Sequence, residues 1–247
     1  MNDPSADGPI RGVLLDIEGT TTPIAFVTEV LFPYARRHLR QYLERHLASP
    51  AHEALWARLR AEHETDRRSD ASVPEWSGSP QSSVEAIAAY VAWLMDRDRK
   101  STGLKELQGR IWEEGYARGD LVGAVFPDVP SALSRWHNEH RLTCIFSSGS
   151  THAQQLLFKH SSAGDLTPYL TAYFDTTTGP KGEPSSYARI AESLGLASEA
   201  VVFVSDTPRE LDAARAGRMR TRLAVRPGNP PMPESGHERL LSLDEIA

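Results

Sequence analysis

The stretch Gly12-Val13-Leu14-Leu15-Asp16-Ile17-Glu18-Gly19-Thr20 decides how this chain is read. A short β-prone run stops at an acid and soon meets a glycine, the mark of a strand that turns sharply at its tip. A lone strand before residue 20 has no sheet of its own. It must pair with β-rich runs found after residue 140, of which the clearest are 142–146, 200–204 and 221–225. These later runs alternate with helical stretches at 129–136, 152–160, 185–194 and 209–216. That alternation predicts an α/β fold with a doubly wound, mostly parallel sheet.

Between the first strand and its partners the grammar is helical. Val27, Val30, Leu31, Tyr34, His38, Leu39, Tyr42, Leu43 and Leu47 recur at three- and four-residue intervals, so a helix is predicted over 26–47. A second is predicted over 55–64. The polar, breaker-rich stretch 65–80 reads as a long loop. Ser82-Ser83-Val84-Glu85 offers a capping box for a third helix, with Val84, Ile87, Ala88, Val91, Leu94 and Met95 on its apolar face. A fourth runs over 104–116. The domain reading is a discontinuous α/β core, 1–23 with 119–247, interrupted by a helical cap at 24–118.

Length and composition agree with a globular chain. The 247 residues are 40% hydrophobic and 24% charged, which excludes collagen-like, low-complexity and disulfide-scaffold classes. The formal net charge of −6, and a nearly balanced insertion, argue against a nucleic-acid partner. No apolar run reaches membrane-spanning length. One cysteine, Cys144, and an N-terminus without signal-peptide character point to a cytoplasmic protein. Cys144 sits inside a strand and reads as core. The nine histidines show no zinc-ligand spacing, and His38, His46, His137 and His140 read as partly exposed.

In open parallel sheets the ligand site lies beyond the carboxyl ends of the strands. Three strand ends here are polar: Asp16 with Glu18, the run Ser147-Ser148-Gly149-Ser150, and Ser205-Asp206. Carboxylate oxygens gathered there suit a hard cation, and Mg²⁺ needs only one or two of them plus a substrate phosphate. The helix opened after Ser147 can hold phosphate oxygens with its backbone N–H groups. Lys181, in Thr178-Gly179-Pro180-Lys181-Gly182, sits in a turn-rich loop from which a cation reaches the same oxygens. Glu210 and Asp212, on the helix after Asp206, are expected behind the site or on the surface. Trp56, Trp76, Trp93 and Trp112 read mainly as packing residues of the cap, with one or two available to line its mouth.

These residues, in this order, resemble the haloacid-dehalogenase-like phosphatase superfamily. The first motif of that family, a hydrophobic strand followed by D-x-D-G-T, is matched with Glu18 in place of the second Asp; Ser147, Lys181 and Asp206 resemble the second, third and fourth. The run D-I-E-G-T-T-T-P-I-A-F-V, with Phe146-Ser147-Ser148-Gly149-Ser150, Arg226-Pro227-Gly228-Asn229 and Leu107-Gln108-Gly109-Arg110-Ile111-Trp112, is similar to one branch, the acireductone synthases of methionine salvage.

The resemblance implies Asp16 as nucleophile, Glu18 as general acid and base, and Ser147, Ser148 and Lys181 as phosphate holders. It implies one Mg²⁺ per subunit on Asp16, Asp206 and the backbone carbonyl at Glu18. It also implies a monomer acting on 2,3-diketo-5-methylthiopentyl-1-phosphate, enolised first and dephosphorylated second. The enolisation base is open between Glu18 and residues of the cap.

Other readings are a phosphatase for a different small phosphorylated metabolite, a phospho-accepting receiver module and a haloalkanoate dehalogenase. Glu18 and the large helical insertion argue against the receiver. The Gly19-Thr20 turn and Asp206 argue against the dehalogenase.

Overall fold

The computed structural model describes residues 8–78, 84–99, 101–231 and 235–247. The chain divides into two compact units: residues up to Thr28 together with Val122–Ala247, and Glu29–Leu121. The turn of π-helix at Phe26–Leu31 runs across the first boundary.

The Glu29–Leu121 unit holds four helices, α1 (Phe32–His46), α2 (Glu53–Ser69), α3 (Val84–Asp96) and α4 (Thr102–Arg118). α1 packs on α3 and α4, and α2 on α4. The apolar periodicity supplies this interior: Leu39, Leu43, Leu55, Leu59, Ile87, Val91, Leu107 and Ile111 are all buried. α4 is framed by two local signals. The Ser101 hydroxyl accepts from Leu104 N–H at its start, and Gly119 adopts the left-handed conformation at its end.

One expectation is corrected here. The loop read over 65–80 is helical up to Ser69, because Asp66 is buried and accepts a hydrogen bond from the Tyr90 hydroxyl at 2.9 Å. Arg67 and Arg68 lie in the last turn, where positive charge suits the helix dipole. The capping box at 82–85 falls partly outside the described residues.

The other unit carries a six-stranded sheet with order β3-β2-β1-β4-β5-β6, every pairing parallel. Its strands are β1 (Gly12–Leu15), β2 (Leu142–Phe146), β3 (Ala172–Phe174), β4 (Val201–Ser205), β5 (Arg220–Ala224) and β6 (Arg239–Leu240). Four helices accompany them: α5 (Val129–Asn138), α6 (Thr151–Lys159), α7 (Pro184–Ser193) and α8 (Pro208–Ala216).

Leu14, Cys144, Phe146, Val201, Phe203 and Leu223 form one core with α7 and α8 residues such as Tyr187, Ile190, Leu211 and Ala214. The alternate strand residues Val13, Leu15, Thr143, Ile145, Val202 and Val204 are buried as well, so both sheet faces are covered. This is the doubly wound α/β fold that the strand and helix alternation predicts. β3 and β6 are additions to the sequence reading.

Among the described residues no helix is long and apolar enough to cross a membrane. Cys144 is buried, and burial pushes its thiol up to about 12, which fits a packing role.

Candidate active site

β1 lies at the centre of the sheet, with β2 on one side and β4 on the other. Strand order changes direction there, and the carboxyl end of β1 opens on the crevice where open α/β sheets bind ligands. Asp16 is the first residue past that end, and its N–H still donates to Val204 O at 2.9 Å. The registers Leu15↔Ile145 and Leu15↔Val204 put Phe146 and Ser205 level with Asp16, and Ser147 and Asp206 one step beyond. Four polar residues from three strands thus share one edge of the sheet.

The Asp16 carboxylate is buried and fully engaged. Oδ1 accepts from Ile17 N–H at 2.7 Å and pairs with Lys181 Nζ at 2.8 Å, while Oδ2 lies 3.1 Å from Ser205 Oγ. Lys181 also pairs with Glu210 at 2.6 Å, and Ser205 Oγ is 3.1 Å from the same Glu210 oxygen. Burial disfavours the ammonium of Lys181, but the charges of Asp16 and Glu210 outweigh it and its pKa is raised. The Phe146 and Phe203 rings lie 5.8 and 5.9 Å from Nζ, and Tyr187 donates to the Lys181 carbonyl at 2.7 Å, which fixes the backbone that carries the ammonium. Glu210, expected behind the site or on the surface, is in direct contact with Lys181; Asp212 pairs instead with His237 at 3.0 Å.

Asp206 is stacked against the turn that follows Asp16. Gly19 has φ +67°, and a Cβ there would collide with the Asp206 carboxylate. Burial, then the charge of Asp16, raises the Asp206 pKa. Burial and Asp16 likewise raise that of Glu210, against the pull of Lys181. Three acids facing one ammonium leave this buried edge electron-rich, an arrangement that suits a hard divalent cation. Among the described residues no three His, Cys, Asp or Glu side chains are grouped to hold an ion. Two carboxylates supplemented by carbonyl, phosphate and water are within the habits of Mg²⁺.

The turn itself is tightly wound. The N–H groups of Thr20, Thr21 and Thr22 all reach Ile17 O, Glu18 bridges to Thr22, and Glu18 is exposed. Two distant residues hold it in place. Arg226 is buried and donates from Nε to Thr20 O at 2.9 Å and from Nη1 to Asp128 at 2.7 Å, and Asn229 Nδ2 donates to Gly19 O at 2.9 Å.

On the β2 side, Ser147 Oγ accepts from Gly149 N–H at 3.2 Å, which leaves its own proton available to a ligand. Ser148 is exposed. Gln154, buried on α6, donates to the carbonyls of Gly149 and Phe174 at 2.8 and 2.9 Å and so pins the loop that follows β2.

The model of the haloacid dehalogenase-like hydrolases matches residues 10–218. An enolase-phosphatase E1 of Synechococcus elongatus is 49% identical over 96% of this chain and 98% of its own length. One of Sorangium cellulosum is 47% identical over 97% and 98%. The chain belongs to the enolase-phosphatase E1 family of haloacid dehalogenase-like hydrolases. The crystal structure of the UTR4 protein of Saccharomyces cerevisiae is similar as well, with TM-score 0.78 and 32% identity over 96% of this chain and all of that one.

Within this enolase-phosphatase E1 framework, sequence reading named Ser205, Glu210 and Arg226 without their contacts and passed over Gln154. An acid four residues after Asp206 is a signal for Glu210, whereas Ser205 meets Asp16 and Arg226 meets Thr20 across sequence separations that no local pattern reports. The four tryptophans considered for the cap are all buried, and Trp112 Nε1 donates to Leu31 O at 2.8 Å, so they pack the Glu29–Leu121 unit.

Proposed function

We propose that this chain converts 2,3-diketo-5-methylthiopentyl-1-phosphate to 1,2-dihydroxy-3-keto-5-methylthiopentene and phosphate, with Asp16 as the covalent nucleophile. The observation that carries the catalytic assignment is the buried Asp16–Lys181–Glu210 cluster at the switch point of the sheet. A carboxylate held by an N–H, a hydroxyl and an ammonium is fixed in orientation, as a nucleophile at phosphorus must be.

An Asp16 oxygen forms the new P–O bond as the bond from phosphorus to the enolised substrate's oxygen breaks. Glu18, exposed beside Asp16, gives its proton to the leaving oxygen. It then takes one from the water that attacks phosphorus, which releases phosphate and restores Asp16. Lys181 and the Ser147 hydroxyl meet the phosphoryl oxygens as charge gathers on them, with the backbone at Ser148 a third donor.

Asp16, Asp206 and the Glu18 carbonyl would hold one Mg²⁺ per subunit, which neutralises phosphoryl charge and polarises the substrate oxygen during enolisation. In this reading the protein is a cytoplasmic monomer whose partner is the small phosphorylated diketone, with neither nucleic acid nor membrane involved.

The test is the product spectrum. The purified protein, given the diketo phosphate and Mg²⁺, should release phosphate and generate the absorbance of an enediol. Phosphate release without that absorbance points to a phosphatase for another metabolite.

A further inference from the structure

We propose that Asn229 is a positioning residue for the divalent cation, its Oδ1 accepting a hydrogen bond from the cation's hydration shell beside Asp206. The inference rests on the Mg²⁺-dependent reading above and adds a residue to it.

The amide of Asn229 can face only one way. Its Nδ2 lies 2.9 Å from Gly19 O and 3.5 Å from Ala224 O, two carbonyl oxygens that an N–H can satisfy and a C=O cannot. Oδ1 is therefore turned away from them. It is buried and meets no donor among the described residues. Buried acceptors in folded proteins are nearly always partnered, so this one calls for a ligand.

The position of Gly19 shows what lies beside that oxygen. A Cβ built on Gly19 would strike the Asp206 carboxylate and approach Asn229 Oδ1 to 3.1 Å. The carboxylate and the amide oxygen therefore lie side by side against the Gly19 Cα. Both are acceptors. A group that meets both must donate to the amide oxygen and also be attracted by the carboxylate. Water coordinated to a cation does both, since the carboxylate binds or faces the ion while the polarised water protons are strong donors. Groups that contact a metal through its outer shell orient the ligands and tune affinity. Asn229 has a second link to the site, because the carbonyl it holds belongs to the turn that carries Glu18. A direct hydrogen bond from Asp206 would satisfy Oδ1 without a metal, and the experiment separates the two.

Mg²⁺ binding is measured by isothermal titration calorimetry on the wild type, Asn229→Ala and Asn229→Asp, with each Tm recorded in EDTA to establish folding. The wild type should take up one Mg²⁺; no uptake overturns both the metal-dependent reading and this inference. Asn229→Ala should bind roughly ten- to a hundredfold more weakly. Asn229→Asp, which loses the donor to Gly19 but still offers an acceptor towards the cation, should bind Mg²⁺ more tightly than Asn229→Ala. Wild-type affinity in Asn229→Ala overturns the role of Asn229 and leaves the Mg²⁺ reading standing. An equal loss in both variants assigns the effect to the Gly19 hydrogen bond and overturns the acceptor role.

Discussion

Lys181 Nζ lies 2.8 Å from Asp16 Oδ1 in a part of the protein where both side chains are almost wholly enclosed. A buried ion pair of this kind contributes little net stability, because desolvation of two charges offsets their attraction. What it does supply is a carboxylate fixed in orientation at the tip of β1. Asp16→Asn is accordingly expected to abolish phosphate release while Tm stays close to that of the wild type, since Glu210 continues to hold Lys181. Turnover by a folded Asp16→Asn protein would remove Asp16 as nucleophile.

Removing the other partner has a different signature. Lys181→Met leaves Asp16 and Glu210 facing each other without the ammonium between them. Breaking a buried pair from one side costs about 3–5 kcal/mol, and losing a donor to a developing oxyanion costs roughly a hundred- to thousandfold in kcat. Thermal unfolding and phosphate-release kinetics at saturating Mg²⁺ should show both losses. A variant with wild-type kcat would dissociate Lys181 from phosphoryl transfer.

Gly19→Ala tests the turn. The left-handed φ and the contact with Asp206 both oppose a Cβ. Strain in the left-handed region is about 1–3 kcal/mol, so a modest fall in Tm is expected. Activity should fall far more than stability, because the displaced groups are Glu18 and Asp206. Equal catalytic efficiency in the variant and the wild type would show that the turn tolerates movement.

Asp128 gives the fold a definite response to acid. Burial works to raise its pKa, but the Leu243 N–H and the Arg226 guanidinium, both on Oδ2, more than compensate, and the net shift is downward. A depressed carboxylate pKa contributes stability that is present above the unfolded-state value and is lost as pH falls through the folded one. Asp128→Asn should therefore lower Tm at neutral pH and lose less on acidification than the wild type does. Parallel Tm-against-pH curves for the two proteins would contradict the assignment.

Chelation should act on both function and stability. With three acids and one ammonium at the β1 edge, Mg²⁺ binding there would stabilise the folded state in proportion to the logarithm of its concentration. EDTA should inactivate the enzyme and lower Tm, and added Mg²⁺ should restore both. Full activity in EDTA would exclude the metal assignment.

Much of this was legible from local pattern. β1, β2 and β4 are mainly apolar runs of four or five residues, and each leads into the polar residue that the sheet later displays; Asp16, Ser147 and Asp206 were readable because strand tips are local features. The helices of the Glu29–Leu121 unit announce themselves by period, although α2 outruns its apolar stripe since Asp66 finds a buried partner in Tyr90. β3 and β6, three and two residues long, are too short to carry a period of their own.

The order of residues along the chain thus determined a doubly wound sheet, the acids at its strand tips and the motif order that marks the family. Only the tertiary structure decided which groups those acids meet. Ser205 comes to Asp16 across 189 positions and Arg226 to Thr20 across 206. Such pairings follow from strand order, in which β4 lies beside β1 and β5 beside β4, and from the cost of leaving a buried polar group unpaired. No local propensity encodes them, because they are set by the packing of the whole sheet.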